Sequence, residues 1–282
     1  MTRPGWWHVS AAQGIPAVHG REDVNGVGTV LLVVTDGRDD YLHATLTSAR
    51  DNRLIDTVDR IVLVDDSGDP SRIRPLLRTL QDVCAGTRHD TPDGFTPRTL
   101  RFGEHRDTQL VCPTVTVHGP LPDTKRGFAG AVQTGWGHVG DNDRFVFHLE
   151  DDFTFNEPPD LSAMAAILDG NPCLAQVALQ RQPVNDVERA AGGIIASWPD
   201  EYSEVVDDVG RVWCEHSLFF TTNPSLYRAG LTCRFRWPDG AHSEGRFSQV
   251  LRDAGFRFAF LGGKGDAPKV HHIGDHRTGT GY

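Results

Sequence analysis

Three consecutive acidic residues, Glu150, Asp151 and Asp152, directly follow the apolar and aromatic run FVFHL. A run of this kind predicts a buried strand, and the ligand sites of open α/β sheets lie where such strands end. Clustered carboxylates repel one another unless a cation or hydrogen-bond donors compensate, and hard divalent cations accept carboxylate oxygens readily. The triplet therefore indicates a metal or ligand site, and a solvated acidic turn is the alternative.

A second pair of acidic residues ends an earlier apolar run. Asp65 and Asp66 follow the residues IVLV and precede Ser67 and Gly68. A carboxylate here can accept hydrogen bonds from a base N–H or a ribose hydroxyl, as acidic residues near strand ends do in dinucleotide-binding folds. Because Asp-Ser-Gly is also typical of an ordinary turn, the pair alone does not decide between the two roles.

The segments around these acidic residues predict alternating strands and helices. Residues 27–36 form an apolar, β-branched run that predicts a strand, and residues 41–52 carry apolar side chains at helical spacing. Residues 60–69 predict a second strand and residues 71–83 a second helix. Two strands that alternate with two helices are typical of a parallel βαβ unit, and the segment has the pattern of a nucleotide-binding unit.

The rest of the chain predicts fewer regular elements. Residues 1–26 lack periodicity and predict an irregular lead-in, and residues 86–122 are rich in Pro, Gly, Thr and Arg, which is typical of loops. The further predicted elements are a strand at 110–117, a helix at 126–138, strands at 144–155 and 174–180, a helix at 243–254 and a strand at 256–262.

Three of these segments together resemble a known family. They are a strand ending in VDDSGD, a Gly- and Ala-rich helix GFAGAVQTGW and a strand ending in LEDD, in that order. The sequence resembles inverting, family-two-like glycosyltransferases of the GT-A fold, and in particular small phage-encoded ones. The resemblance implies an α/β fold with a Rossmann-like mixed sheet flanked by helices. It divides the chain into a nucleotide-sugar-binding half at 27–155 and an acceptor-binding and catalytic half at 156–282.

The resemblance also implies roles for individual residues. In the family, the second strand closes on residues that hold the nucleoside, and the fourth ends in an acidic DxD triplet that binds ribose and metal. Glu150 departs from the commoner Asp at the first position of that triplet. The nucleotide-sugar-binding residues implied in this way are Thr35, Asp36, Asp65, Asp66, Glu150, Asp151 and Arg277.

A late segment resembles the family's V-x-H motif, in which a histidine can complete the metal site. Val270-His271-His272 places His272 at that position, and imidazole is a common metal ligand. The implied ligands of Mn²⁺ or Mg²⁺ are therefore Asp152 and His272, although a histidine can also serve a purely structural role. Beyond it, Arg277 can pair with a diphosphate.

The segment DGAHSEGRFSQVLRDAGFRFAFLG resembles the family's acidic helix start followed by a Gly-aromatic strand. Glu244 then occupies the position of the general base, which takes the proton of the acceptor hydroxyl as that oxygen attacks the anomeric carbon. An acidic residue at a helix start also interacts favourably with the helix dipole, so a structural role is the alternative. Trp198 and Trp213 are candidates to cover a sugar face, although aromatic residues more commonly belong to the core.

Composition limits the kinds of binding partner and the cellular compartment that we expect for the protein. The formal net charge of −10 disfavours broad adhesion to a polyanion. The chain has no apolar run of membrane-spanning length and no secretory pattern at its start, so we expect no contact with a membrane. The five cysteines are scattered without a CxxC pair, which fits a reducing cytoplasm, or the host cytoplasm if the protein is phage-encoded.

The expected reaction moves a sugar, from a UDP-sugar in preference to other donors, onto an acceptor that the sequence leaves open. Of the 28 basic residues only three are lysine, which leaves 25 arginines. In this bias the sequence resembles glycosyltransferases from phages of GC-rich hosts. Those enzymes modify virion proteins or hydroxymethylated DNA bases. A protein, a modified DNA base and a small molecule therefore remain possible acceptors, with net acidity favouring a protein or small molecule.

Two other functions fit parts of the sequence. A non-catalytic module that binds sugar nucleotides or glycans can keep the same fold without turnover. A nucleotidyltransferase shares the sheet and the acidic residues but needs a Gly-rich loop after its first strand. In this sequence Gly26 and Gly28 precede the apolar residues Val30, Leu31 and Leu32, and no phosphate-binding GxxxxGK[ST] motif occurs.

Overall fold

The computed structural model describes residues 28–86, 107–108, 114–119 and 125–274. The predicted lead-in, most of the loop-rich region at 86–122 and Arg277 lie outside these residues. The strands are β1 (Thr29–Thr35), β2 (Arg60–Asp65), β3 (Asp107–Thr108), β4 (Thr114–His118), β5 (Phe145–Glu150), β6 (Phe153–Phe155), β7 (Leu174–Ala178), β8 (Ser203–Val206), β9 (Val212–His216), β10 (Ser225–Arg228), β11 (Arg257–Leu261) and β12 (Val270–His272). The α-helices are α1 (Asp39–Asp51), α2 (Ile73–Gly86), α3 (Gly127–Trp136), α4 (Leu161–Gly170), α5 (Asp186–Ala191), α6 (Ile194–Ser197), α7 (Gly230–Arg234) and α8 (Ser243–Asp253).

Ten of these strands form one mixed sheet in the order β3-β4-β2-β1-β5-β10-β7-β11-β9-β8. Strands β4, β2, β1 and β5 are parallel to one another. Strand β10 is antiparallel to both β5 and β7, and β11 is parallel to β7. The carboxyl ends of β1, β2, β5, β7 and β11 therefore lie along one edge of the sheet, where ligand sites of such sheets form.

The central strand β1 shows why these residues form a sheet covered on both faces. All seven of its residues are buried, as is typical of a parallel strand between two layers of helices. Leu31 and Val33 pack with α1, α2 and α4 on one face, while Val30 and Leu32 pack with α3, α7 and α8 on the other. Since successive side chains of a strand point to opposite faces, one β-branched and apolar run supplies both cores.

The predicted strands at 27–36, 60–69, 110–117, 174–180 and 256–262 correspond to β1, β2, β4, β7 and β11. The four predicted helices correspond to α1, α2, α3 and α8. The predicted single strand at 144–155 is wrong, because the chain leaves the ladder at Asp151 and Asp152 and β6 pairs with β12 in a separate two-stranded sheet. Among the described residues, no helix is both long and apolar enough to cross a membrane.

The break between β5 and β6 has a physical reason. The carbonyl oxygen of Asp151 accepts a hydrogen bond from the Thr45 hydroxyl of α1 at 2.8 Å. The carbonyl oxygen of Asp152 accepts one from the backbone N–H of Ile273 at 2.8 Å. These backbone groups thus bond to a helix and to the segment after β12, and both carboxylates are held at the edge of the sheet.

Candidate active site

The acidic residues predicted at the strand ends come together in the structure. Thr35 ends β1, Asp65 ends β2 and Glu150 ends β5, and these three strands are neighbours in the sheet. Thr35 is in register with Asp65, and Val34 with Glu150. Residues that are far apart in sequence therefore lie side by side at the edge of the sheet.

Asp151 is buried and is held by two donors. The Thr35 hydroxyl donates a hydrogen bond to Oδ2 of Asp151 at 2.7 Å, and Nη2 of Arg38 donates to its Oδ1. Burial raises the pKa of Asp151 to about 6, although both donors act in the opposite direction. Thr35, predicted to contact the nucleotide sugar, thus positions Asp151 in this structure.

Asp152 is fully buried and contacts two groups that can carry positive charge. Its Oδ2 lies 2.9 Å from Nη2 of Arg38 and 3.3 Å from Nε2 of His272. Burial alone would raise the pKa of Asp152, but the contacts to His272 and Arg38 together lower it. The carboxylate therefore stays ionised at neutral pH and can accept a cation.

The predicted metal ligands have a spacing that fits a divalent cation. Neighbouring ligands of an octahedral ion with bonds of about 2.1 Å stand about 3 Å apart, close to the 3.3 Å between Oδ2 of Asp152 and Nε2 of His272. A Cβ at Gly274 would lie only 2.4 Å from that same oxygen and 3.0 Å from that nitrogen. Glycine here keeps space open beside both atoms.

The donor set suits an ion that is completed by a substrate. Among the described residues, no three side chains of His, Cys, Asp or Glu are grouped so that they could hold a metal ion. Mg²⁺ is usually bound by one or two carboxylates together with substrate phosphates, so a pair of protein ligands is enough for such a site. The residues fit a phosphate-bridging cation and not an all-protein cage.

His272 is positioned by its backbone. The Gln182 side chain donates from Nε2 to the carbonyl oxygen of His272 at 2.7 Å and accepts from the His272 N–H at 2.8 Å. Strand β12 also pairs with β6, which places His272 opposite Phe153 with ring centroids 4.8 Å apart. The imidazole is therefore held beside Asp152 from two sides.

The three aspartates predicted to bind the nucleotide sugar at the ends of β1 and β2 differ in their accessibility. Asp66 is buried and accepts the backbone N–H of Arg126 at 2.6 Å, and Asp65 is buried and accepts that of Ser67 at 2.8 Å. Burial raises the pKa of Asp65. The Asp36 side chain is 50% exposed and lies 3.0 Å from Nε of Arg38. Asp36 thus has the most accessible of these carboxylates, while Asp65 and Asp66 fix local loops.

A second carboxylate cluster lies at the same edge and includes the predicted general base. Oε1 of Glu150 accepts a hydrogen bond from the Thr222 hydroxyl at 2.6 Å, and Oε1 of Glu244 accepts the backbone N–H of Thr222 at 2.7 Å. Burial raises the pKa of Glu244, although the Thr222 donors act in the opposite direction. Glu244 bonds to another segment of the chain and not to the start of its own helix α8.

The segment around Thr222 is held by buried polar side chains. The Gln176 amide accepts the N–H of Thr221 at 2.9 Å and donates to the Thr221 carbonyl. The Ser248 hydroxyl of α8 accepts the N–H of Phe220 at 2.8 Å. Thr222 was not among the residues predicted from the sequence. A buried Gln within an apolar strand was the available signal, because such an amide requires hydrogen-bond partners.

The two tryptophans named as candidates to cover a sugar face differ in their exposure to solvent. Trp213 is only 3% exposed and packs in the core, where its Nε1 donates to Glu215 at 3.0 Å. Its predicted role in covering a sugar is therefore wrong, because the ring is not accessible. Trp198 is 45% exposed and stays a candidate.

Solved structures of glycosyltransferases share this fold. The structure of S. aureus TarS 1-349 has 14% sequence identity and a TM-score of 0.54, with 87% of this chain and 60% of that chain covered. The mannosyltransferase PcManGT from Pyrobaculum calidifontis, in complex with GDP-Man and Mn²⁺, has 13% identity and a TM-score of 0.51, with 89% and 58% covered. GalNAc-T7 with UDP, GalNAc and Mn²⁺ has 10% identity and a TM-score of 0.55, with 87% and 43% covered.

This likeness is one of structure. No protein-family model and no curated protein sequence matches the chain. The chain spans less than two thirds of the length of each of the three solved structures. What the comparison shows is the three-dimensional arrangement: the chain has the GT-A fold, an α/β fold with a large mixed sheet flanked by helices.

Proposed function

We propose that the protein is a metal-dependent, inverting glycosyltransferase that moves a sugar from a nucleoside-diphosphate donor, with UDP-sugars favoured, onto an acceptor hydroxyl. The observation that carries the proposal is that two sets of side chains, one suited to bind a cation and one suited to act as a base, lie at the same edge of the sheet. Asp152 and His272 form a cation-binding pair. Two residues before Asp152, Glu150 shares Thr222 with the carboxylate of Glu244.

The donor is proposed to bind across the ends of β1, β2 and β5. Asp36, Asp65 and Asp66 lie there with carboxylates that can accept hydrogen bonds from a base or a ribose. The solved structures of the same fold support a nucleotide donor, since TarS was crystallised with UDP and PcManGT with GDP-Man. We assign Arg277 to the diphosphate because a guanidinium matches phosphate oxygens in a bidentate manner.

Asp152 and His272 are the proposed metal ligands, and Mn²⁺ in the PcManGT and GalNAc-T7 structures supports a divalent cation. When bound, such a cation supplies positive charge that stabilises the departing nucleoside diphosphate. Gln182 fixes the backbone of His272, so the imidazole keeps its place beside Asp152. Gly274 leaves the space beside both ligands open.

Glu244 is the proposed general base. Its carboxylate, fixed by the Thr222 N–H, would remove the proton of the acceptor hydroxyl while that oxygen attacks the anomeric carbon from the face opposite the leaving diphosphate. This geometry inverts the stereochemistry at that carbon. A raised pKa makes the ionised carboxylate a stronger base and leaves it ionised above that pKa.

The acceptor is proposed to be a protein or a small molecule. The net charge of −10 disfavours a broad contact with nucleic acid. A virion protein fits the resemblance to phage glycosyltransferases, and a hydroxymethylated DNA base is the nucleic-acid alternative. A salt series tests that alternative, because affinity for duplex DNA would fall steeply with salt.

A screen of nucleotide sugars tests the proposal. UDP-, GDP- and dTDP-linked sugars are incubated with the protein and Mn²⁺, and release of the nucleoside diphosphate is measured with and without EDTA. The expected result is metal-dependent release from one donor class, and its loss in Glu244→Gln. Binding of a nucleotide sugar without any release, by hydrolysis or transfer, would favour a non-catalytic binding module. No binding of any nucleotide sugar would refute the proposal.

A further inference from the structure

The Arg38 guanidinium already pairs with Asp152, the carboxylate to which a cation is assigned, and with the neighbouring Asp151 and Asp36. Its Nη2 donates to Oδ1 of Asp151 and to Oδ2 of Asp152, and its Nε lies 3.0 Å from Oδ1 of Asp36. Burial alone would lower the pKa of Arg38, but these carboxylates together raise it. Arg38 is thus the internal counter-ion of the acidic cluster.

Arg38 and a cation between Asp152 and His272 require the same atom. Oδ2 of Asp152 lies 2.9 Å from Nη2 of Arg38 and 3.3 Å from Nε2 of His272. A cation bonded to this oxygen at about 2.1 Å would bring its positive charge close to the guanidinium, and like charges at such a distance repel strongly in a partly buried site. The two positive charges therefore compete for this oxygen of Asp152.

The guanidinium also has capacity for another acceptor. Its Nη1 is buried and makes no hydrogen bond with any residue in the described ranges. A buried donor of this kind is costly and calls for an explanation. A diphosphate offers the planar pair of anionic oxygens that a guanidinium binds best. An anion arriving at the strand ends can thus draw the guanidinium away from the carboxylates.

We propose that Arg38 and a divalent cation are alternative partners of Asp152, and that a nucleoside diphosphate selects the cation by drawing the guanidinium onto its own phosphate oxygens. Metal and diphosphate then bind cooperatively, since each favours the arrangement that the other requires. The role of the diphosphate rests on the proposed function. The competition for Asp152 is a property of the chain and is testable with the metal ion alone.

Mn²⁺ binding to the wild type and to Arg38→Gln, followed by paramagnetic resonance of free Mn²⁺ without nucleotide, tests the competition. We expect Arg38→Gln to bind Mn²⁺ at least about tenfold more tightly, because the competing charge is removed. In EDTA, Arg38→Gln should melt at a lower temperature than the wild type. Added Mn²⁺ should raise the melting temperature of Arg38→Gln by more than it raises that of the wild type. Equal or weaker Mn²⁺ binding by Arg38→Gln, including no binding by either protein, would overturn the inference.

Arg72→Gln is the matched control. The Arg72 side chain is 20% exposed, as is that of Arg38, and it pairs with Asp39 and Asp65 but not with Asp151 or Asp152. This variant should bind Mn²⁺ as the wild type does. The further variant Arg38→Gln/Asp152→Asn should lose the gain in affinity, since the shared oxygen is then a poor ligand.

A measurement on the wild type covers the case in which Arg38→Gln does not fold. Nitrogen-15-labelled arginine side chains are observed by nuclear magnetic resonance, with the Arg38 signal assigned from Arg38→Lys. Mg²⁺ with UDP or GDP should shift this signal, and an unchanged signal at saturating nucleotide would count against the inference. If no nucleoside diphosphate binds, the proposed function fails, while the Mn²⁺ comparison still decides the competition.

Discussion

The backbone N–H of Thr222 donates a hydrogen bond to Oε1 of Glu244 over 2.7 Å, and the Thr222 hydroxyl donates to Oε1 of Glu150 over 2.6 Å. One residue thus holds two carboxylates from different elements through two different groups. The same hydroxyl also lies 3.3 Å from Oε1 of Glu244, so a side-chain substitution removes both hydroxyl contacts and leaves the backbone N–H contact to Glu244 in place.

Replacing Glu244 by Gln should abolish base catalysis without weakening donor binding. Gln keeps the size and an acceptor for the Thr222 N–H but cannot take up the acceptor's proton. Transfer should fall by about 10²–10⁴-fold, the usual contribution of a positioned base, while nucleotide-sugar affinity changes little. Rate, affinity and melting temperature are measured on one preparation. Near-normal transfer with a loss of about 0.3–1 kcal/mol in stability would assign Glu244 to the helix dipole instead.

The pH dependence of transfer should follow ionisation of Glu244. Burial places its pKa above the ordinary 4.5, so the rate should rise with pH through that higher value. The stability effect has the opposite sign, because a raised carboxyl pKa contributes stability below 4.5 that is lost as pH rises through the folded-state pKa. The melting temperature of Glu244→Gln relative to the wild type should therefore increase from acid to neutral pH. A difference that is constant with pH would contradict this.

Removing the Thr222 hydroxyl should disturb Glu150 most, because its contact is the shorter, and should leave Glu244 with the backbone N–H contact alone. We expect Thr222→Val to lower kcat by about 10- to 100-fold, which corresponds to the usual worth of a hydrogen bond to a charged group. Thr222→Ser keeps the hydroxyl and should restore most of the rate. Steady-state kinetics with donor and acceptor varied separately measure both, and equal rates in the two variants would show that the hydroxyl is not required.

Asp152→Asn should weaken metal-assisted donor binding more than Asp151→Asn does. Oδ2 of Asp152 lies beside His272, whereas the Asp151 carboxylate accepts from Thr35 and Arg38. Titration of a nucleotide sugar with Mn²⁺ and with EDTA measures the metal-dependent part. Equal affinity of the wild type in both conditions would remove the metal from the mechanism.

The final residues can be tested by a truncation after Gly274. A cut at residue 268 would remove β12, which pairs with β6 and bonds to Gln182, and is therefore expected to disturb the fold. A cut after Gly274 keeps these contacts and removes Arg277. We expect an unchanged melting temperature and a large loss of transfer, with Arg277→Ala showing the same loss. Full activity of the truncated protein would exclude a role for this segment.

The sequence was sufficient to predict the parallel half of the sheet and its acidic edge. Short, β-branched runs such as TVLLVVT favour a buried parallel strand, and a carboxylate that directly follows such a strand lies at the edge of the sheet. The fold type came from the order of three motifs, since periodicity alone does not distinguish one α/β fold from another.

The contacts that complete the site could not be predicted in this way. Gln182 and His272 are bonded across 90 residues, and no local pattern reports such a pairing. In the sequence, Arg38 has the pattern of an ordinary loop residue before α1. Its contacts with Asp151 and Asp152 depend on β1 and β5 lying side by side in the sheet. The break after Glu150 was missed because the aromatic alternation of FVFHLEDDFTF continues through it.

The pairing of β12 with β6 also has a consequence for the order in which the candidate site is assembled during synthesis. His272 emerges from the ribosome 90 residues after Gln182, and N-terminal parts of a chain fold first. A nascent chain that has completed β5 can form the Asp151 and Asp152 contacts with Arg38 while the imidazole is still to be made. The growing polypeptide can thus balance the charge of its acidic cluster before the imidazole of His272 has been made.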